Sequence, residues 1–410
     1  GGNVWTCVVE TNNADGDGAM TFSIAFSDSA GNAGTADTTV DDGSSVTIDN
    51  THPTLGTVGI VDAGTGNAND GDDVTLTFTA TETIQTPTCT MNDGAGAAMD
   101  NSVTVTNTGG NVWTCVVETN NADGDGAMTF SIAFSDSAGN AGTADTTVDD
   151  SSSVTIDNTH PTLTNIVMST DGNSGYAKSG DEITLTITVS ETVTGLVCTI
   201  DGEATTMGGS GTSWTSDLTM SGDETEQATV FSCASHTDAA GNAGATDTSA
   251  DSGSVTVDFT VPTLGTVGIV DAGTGNANDG DDVTLTFTAT ETIQTPTCTM
   301  NDGAGAAMDN SVAVTNTEGN IWTCVVETNN ADGDGAMTFS IAFTDSAGNA
   351  GTADTTVDDS SSVTIDNTHP TLGTVGIVDA GTGNANDGDD VTLTFTATET
   401  VPHTHLTPPT

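Results

Sequence analysis

Basic side chains are almost missing from this chain. One Lys, Lys178, and no Arg stand against 58 Asp and Glu in 410 residues, a formal charge of -57 at neutral pH. A phosphate backbone is gripped by cationic groups that release counterions, so a single ammonium excludes nucleic acid and anionic membrane as direct partners. Divalent cations are the expected partners instead, and a tryptic protease finds one residue to cut after. Long apolar runs are also missing. No stretch of eighteen such residues occurs, which excludes a spanning helix and any membrane insertion in this segment. The first residues lack the charged and apolar regions of a signal peptide, so the segment is expected to be mature or internal. No G-x-S-x-G, Walker or H-E-x-x-H pattern is present, and acidic pairs recur along the chain instead of forming one singular site. The expectation is a protein that is not an enzyme.

Aromatic residues make up 4% and hydrophobic residues 34% of the chain, a composition that on its own would suit disorder. Pattern decides otherwise. DVTLTFTA from Asp73 and AMTFSIAF from Ala127 set their apolar residues on one face and Thr or Ser on the other. That period of two marks a strand with one wet side, and no stretch carries a helical stripe. The chain reads as all-β.

Self-comparison shows how the strands are grouped. Trp5, Trp113, Trp214 and Trp322 recur in step with Pro53, Pro161, Pro262 and Pro370. A unit of about one hundred residues is the size of a sandwich domain and much longer than a solenoid repeat. Residues 51–158 form one whole repeat, 159–259 a divergent one and 260–367 another. Residues 1–50 hold the C-terminal half of a repeat; residues 368–410 hold the N-terminal half of one followed by a divergent tail. Within the second repeat, strands are expected at 55–61, 73–81, 86–91, 103–106, 112–118, 128–135 and 153–157. Residues 141–150 could be an early, bulged part of the last strand, with pairing left open.

Seven Cys fall into order as Cys89 with Cys115, Cys298 with Cys324, Cys198 with Cys233, and Cys7 left over. In the third repeat Ser216 stands where the others have the Trp-x-Cys cysteine, while Cys233 stands where the second repeat has Ile132. Both positions point inward by strand parity, so Cys198 can reach either neighbour. A cysteine that moves but stays paired fits a core disulfide, worth roughly 3 to 4 kcal/mol for loops of this length on the chain-entropy model. Zinc would want closely spaced ligands such as C-x-x-C, and none occurs. Disulfides imply an oxidising compartment, hence a secreted or cell-surface, extracellular setting.

The stretches THPTL, GDDVTLTFTATETI, NVWTCVVET, DGDGAMTFSIAFSDSAGNAG and SSVTIDNT resemble the bacterial immunoglobulin-like (Big-type) repeats that stand in tandem in large secreted surface proteins and adhesins. The resemblance implies immunoglobulin-like β-sandwiches in an extended rod, often stiffened by calcium, with no catalytic residues to carry over. The third repeat departs from it with SGDETEQ where the others have ADGDG, which puts a site on that loop in doubt.

In a sandwich whose strands alternate in direction, successive loops alternate between its two ends. Glu82, with Asp136 and Asn140 of the DSAGN loop, falls at the upstream end beside Asp49 and Asn50 of the incoming linker. Asp62, Asp70, Asp72, Asp73, Asp123 and Asp125 fall at the downstream end. Acids therefore gather where repeats meet, and Ca²⁺, which takes six to eight oxygens, is the cofactor such a junction suits. The candidate metal ligands are Asp49, Glu82, Asp136 and Asn140, then Asp123 and Asp125. Their counterparts are Asp157, Glu191, Asp238 and Asn242, and then Glu291, Asp345, Asn349, Asp332 and Asp334. No full D-x-D-x-D-G-x5-E loop occurs, so this is no EF-hand. The blander reading is that Asp, Asn and Gly are good turn formers and the acids a solvated coat. His52, His160 and His369 recur beside linker prolines and read as structural; His403 and His405 offer two metal-binding groups near the terminus.

The expected function is a non-catalytic extracellular repeat protein, the calcium-stiffened stalk of a cell-surface adhesin. The alternative is a self-assembling structural subunit of a filament, sheath or surface layer, in which copies of the chain complement one another through their half-repeats.

Overall fold

The computed structural model describes residues 3–64, 66–273, 275–381 and 383–399. Every regular element among them is a β-strand. His403 and His405 lie outside the described residues. The chain divides into two compact units, residues 1–168 with 184–218 and 230–252, and residues 169–183 with 219–229 and 253–410.

Alternation builds the larger sheet of the second repeat. In strand Asp73–Ala80, Val74, Leu76, Phe78 and Ala80 are buried and the threonines between them are exposed or half-buried. This strand pairs antiparallel with Leu55–Asp62 on one side and Val112–Glu118 on the other, and Thr104–Gly109 completes the four-stranded sheet. The register sets Val74 opposite Val117, Leu76 opposite Cys115 and Phe78 opposite Trp113. The facing sheet pairs Thr88–Asn92 with Thr129–Ala133, Cys89 opposite Ile132.

Residues 141–150, whose pairing the sequence left open, continue this second sheet. Ala141 bridges to Ser135 and Asp145 to Ile132, after which the Asp149 amide donates to the Val58 carbonyl at 2.8 Å and the chain crosses to the first sheet. The strands thus fall, in chain order, as first, second, fifth and fourth on one sheet and third, sixth and seventh on the other. That is the strand order of a seven-stranded immunoglobulin-like sandwich. The last expected strand shrinks to Thr155–Ile156, which runs parallel to Asn67–Ala68 and antiparallel to Gly126–Ala127.

Both inner faces meet in one core from Val58 to Ile156, and the fourth repeat rebuilds the same core from Val267 to Ile365. Disulfides Cys89–Cys115 and Cys298–Cys324 cross between the sheets. Trp113 and Trp322 lie in these cores. Their counterparts do not. Trp214 is half-buried with its Nε1 donating to the Gly211 carbonyl at 3.0 Å, and Trp5 is 90% exposed.

Two close approaches shape the loops. A Cβ on Gly94 would lie 2.3 Å from the Gly126 Cα, so these two turns touch backbone to backbone. Asp93 fastens them, accepting from the Ala97 amide at 2.7 Å and the Gly124 amide at 2.7 Å. At the other end, a Cβ on Gly142 would fall 2.2 Å from the Phe134 ring, so only glycine lets the DSAGN loop lie flat on that ring.

Candidate metal centre

Three separate turns deliver the carboxylates of the first site. Asp49 follows strand Thr47–Ile48 in the linker, Glu82 lies just past strand Asp73–Ala80, and Asp136 opens the DSAGN loop after Thr129–Ala133. One carboxylate oxygen from each lies within 4.8 Å of the others, and the set recurs as Asp157, Glu191 and Asp238 and again as Asp258, Glu291 and Asp345. In each set the DSAGN-type Asp is buried and the other two are half-buried.

Local turn chemistry fixes the buried acid. Asp136 Oδ1 accepts from the amides of Gly139 at 2.7 Å and Asn140 at 2.9 Å, and its Oδ2 accepts from Asn140 Nδ2 at 2.7 Å. The same amide nitrogen donates to the Asp49 carbonyl at 2.9 Å, tying the loop to the incoming linker. Asn242 and Asn349 repeat that bridge to the carbonyls of Asp157 and Asp258. A second tie comes from His52 and His160, whose Nδ1 atoms meet the carbonyls of Ala141 and Ala243 at 2.8 and 2.9 Å.

From the upstream side, one further acid grips each linker. Asp17 accepts from the Asn50 amide at 2.7 Å and the Thr51 hydroxyl at 2.5 Å. Asp125 holds Asn158 and Thr159 in the same way, at 2.7 and 2.6 Å, and Asp334 holds Asn367 and Thr368. In the third repeat, where SGDETEQ put the loop in doubt, Glu226 takes over, accepting from the Phe259 amide at 2.8 Å and the Thr260 hydroxyl at 2.9 Å. A longer side chain recovers the contact from a differently built turn.

The electrostatics follow from four like charges gathered at each site. Burial raises the Glu82 pKa, and Asp49, Asp136 and Asp17 raise it further. Glu191 is raised by burial and then by Asp157, Asp238 and Asp125; Glu291 by burial and then by Asp258, Asp345 and Glu226. Asp258 is raised by burial and by Asp345 and Glu226, against a hydrogen bond from Thr260. Asp136 goes the other way. Burial pushes it up, but the hydrogen bonds from Asn140 and Gly139 outweigh burial and hold its carboxyl below the ordinary range. The one Lys, Lys178, has its Nζ 3.4 Å from Asp181 Oδ1.

Of the residues read from sequence, the structure brings together Asp49, Glu82 and Asp136, Asp157, Glu191 and Asp238, and Glu291 with Asp345. Asn140, Asn242 and Asn349 brace them, and Asp125 and Asp334 grip linkers. Asp123 and Asp332 stand outside the triads. Both are buried and cap their own turns, Asp123 Oδ2 accepting from the Asn120 amide at 2.8 Å and Asp332 Oδ2 from the Asn329 amide at 2.7 Å. Asp62 and Asp72 also serve turns, accepting from the Gly66 and Asn69 amides. Sequence reasoning missed Asp17, Glu226 and Asp258. Asp258 had a visible signal, since SVTVDFT keeps the Asp of SVTIDNT in place while Phe259 replaces the Asn beside it.

Each cluster gathers buried and half-buried carboxylates that raise the pKa of its Glu, and carboxylate oxygens are the kind of donor a hard divalent cation takes. Neither a family model nor a protein of known annotation matches this sequence. Solved structures do. A tetra-tandem repeat from the extending region of a large adhesion protein is 18% identical, covering 86% of this chain and 82% of that one, with a TM-score of 0.31. A three-immunoglobulin-domain segment of titin is 13% identical over 77% of this chain and 99% of that one, with a TM-score of 0.35. A putative membrane-anchored protein from Corynebacterium diphtheriae is 9% identical over 77% and 95% of the two chains, with a TM-score of 0.18.

Proposed function

We propose that this chain is a non-catalytic spacer of an extracellular surface protein of the bacterial immunoglobulin-like kind, its repeats held at their junctions by Ca²⁺. The observation that carries the reading is recurrence. The same three carboxylates, braced by the same Asn, appear at three successive linkers although the repeats between them differ. Calcium would be held by Asp49, Glu82 and Asp136, by Asp157, Glu191 and Asp238, and by Asp258, Glu291 and Asp345, with remaining oxygens from backbone or water. Bound there, it would neutralise charges that otherwise repel across the linker. Three disulfides in a chain of this length support an oxidising, extracellular setting.

A second reading is self-assembly of copies of this chain into a filament or layer. One experiment addresses both. Calorimetric titration with calcium, followed by small-angle scattering at several protein concentrations with and without chelator, should give saturable binding and a longer, stiffer particle in calcium. Absence of binding together with an unchanged profile would end the calcium reading. Mass that climbs with concentration would favour assembly, and constant mass would dismiss it.

A further inference from the structure

Strand Val197–Ile200 of the third repeat pairs antiparallel with Phe231–Ala234, and Cys198 sits opposite Cys233. Cys233 exchanges both its backbone hydrogen bonds with Asp247 on its other side, at 2.9 and 3.0 Å. Toward Cys198 it therefore occupies a non-hydrogen-bonded position, where facing strands come closest; the two Cα atoms are 4.1 Å apart. This disulfide joins neighbours within one sheet. In the second and fourth repeats the bond instead crosses from sheet to sheet, with Cα atoms 6.4 Å apart.

The vacated position between the sheets has turned polar. Ser216, fully buried in place of Cys115, donates to Thr205 Oγ1 at 2.7 Å, which donates in turn to the Cys198 carbonyl at 2.9 Å. In the same repeat His236 replaces Phe134 and Phe343. The imidazole is fully buried against Gly244, and although the Pro161 carbonyl lies near it, neither ring nitrogen reaches hydrogen-bonding geometry with a partner. Those nitrogens regain water only when the repeat opens, a driving force toward opening that the two phenylalanines do not supply.

We propose that the third repeat is the thiol-sensitive opening point of this chain, the repeat that opens first and whose disulfide a dithiol reductant reaches first. A disulfide this buried meets a reductant only in an opened state, so its reduction rate reports the ease of local opening. A thiolate of the reductant attacks one sulfur, forming a mixed disulfide and releasing the other cysteine as a thiolate that takes up a proton. The reductant's second thiol then displaces the first sulfur. The reductant closes its own disulfide, two electrons pass to the protein, and Cys198 and Cys233 are left as thiols. With the cross-link gone, the closed state loses a constraint and the opening persists.

Lys178 supplies the reporter. It is the chain's one Lys, with no Arg in the sequence, and lies in the third repeat, where its backbone is held by Asp181. Trypsin can therefore make a single cut, in this repeat. The full chain is exposed to dithiothreitol at fixed pH and calcium, quenched by alkylation at intervals, mapped by mass spectrometry, and probed in parallel with trypsin. Cys198 and Cys233 should be alkylated about tenfold faster than the other two pairs, and cleavage after Lys178 should appear on the same time course. Equal or slower alkylation of that pair, or its alkylation without cleavage, would overturn the proposal. His236→Phe should slow reduction of this bond alone; an unchanged rate would remove the buried imidazole from the account. Should that variant misfold, hydrogen exchange on the native chain decides. Amides of Phe231–Ala234 must exchange faster than those of Thr129–Ala133 if the third repeat opens first, and slower exchange there overturns it.

Discussion

The second and third repeats keep one end alike while their interiors differ. At the upstream junction Glu82, Asp136 and Asn140 answer to Glu191, Asp238 and Asn242, with the same hydrogen bonds within a few tenths of an ångström. Inside, Cys115 has become Ser216, Ile132 has become Cys233, and Phe134 has become His236. The difference follows from what each feature needs. The junction Asp is held by amides three and four residues away, so the turn carries its own instructions and survives change around it. A core position depends on what stands across the sheet, so Cys198 could keep a partner only if a new cysteine arose opposite it.

That contrast can be broken deliberately. Removing the inter-sheet bond with Cys115→Ala should cost the second repeat about 3.5 kcal/mol in chemical denaturation, the chain-entropy value for its loop. Combining Cys115→Ser with Ile132→Cys transplants the third repeat's arrangement, because Cys89 and Ile132 already face each other in register. Peptide mapping without reduction should find Cys89 bonded at position 132 and most of the lost stability recovered. A double variant no more stable than the single one would show that the within-sheet position needs more of the third repeat than its cysteine.

A smaller effect sharpens the other half of the comparison. Asn140→Ala and Asn242→Ala each remove a donor to a buried carboxylate and to a linker carbonyl. Each should cost about 1 to 2 kcal/mol, measured by denaturation of the full chain. If the junction is as autonomous as its hydrogen bonds suggest, the two losses match. A marked inequality would mean that the differing cores behind the loops contribute to the site.

The same distinction governs what was legible in the sequence. Alternation located the strands, and loop alternation put Glu82, Asp136 and Asp49 at one end, because both rest on period and parity. Strand limits were less legible. Residues 4–10 and 112–118 share the sequence VWTCVVE, yet only the second is a strand, since Phe78 and Leu76 stand opposite Trp113 and Cys115 while residues 4–10 have no such neighbour. Glu226 escaped because its loop no longer aligns with ADGDG, and only the fold reveals that a carboxylate on a longer arm reaches the same linker atoms. The one-sheet disulfide lay between these cases. Parity allowed it, and the register of Val197–Ile200 on Phe231–Ala234 chose it.

The smallest effect tests whether the junction acids are poised for a cation. Glu82 and Glu191 have raised pKa values in the fold, first from burial and then from neighbouring carboxylates. A raised acid makes the folded state bind its proton at higher pH than the unfolded chain does. The metal-free protein therefore gains stability from these groups as pH falls through their folded pKa, and the gain is complete below their ordinary value. Asp136, held low by Asn140 and Gly139, has the opposite sign: its contribution is present above the ordinary carboxylate range and is lost as pH falls through its lowered pKa. Glu82→Gln and Glu191→Gln remove only the first contribution. In chelator, each variant should melt above wild type at neutral pH, with the advantage fading in mild acid. In calcium the order should invert at neutral pH, because the lost carboxylate is then a lost ligand and protons compete with the ion for it. Melting curves across pH, with chelator and with calcium, check both signs. An order that stays the same in both media would mean that Glu82 and Glu191 repel their neighbours without serving a metal, and equal behaviour of the two variants would confirm that the second and third repeats share one junction.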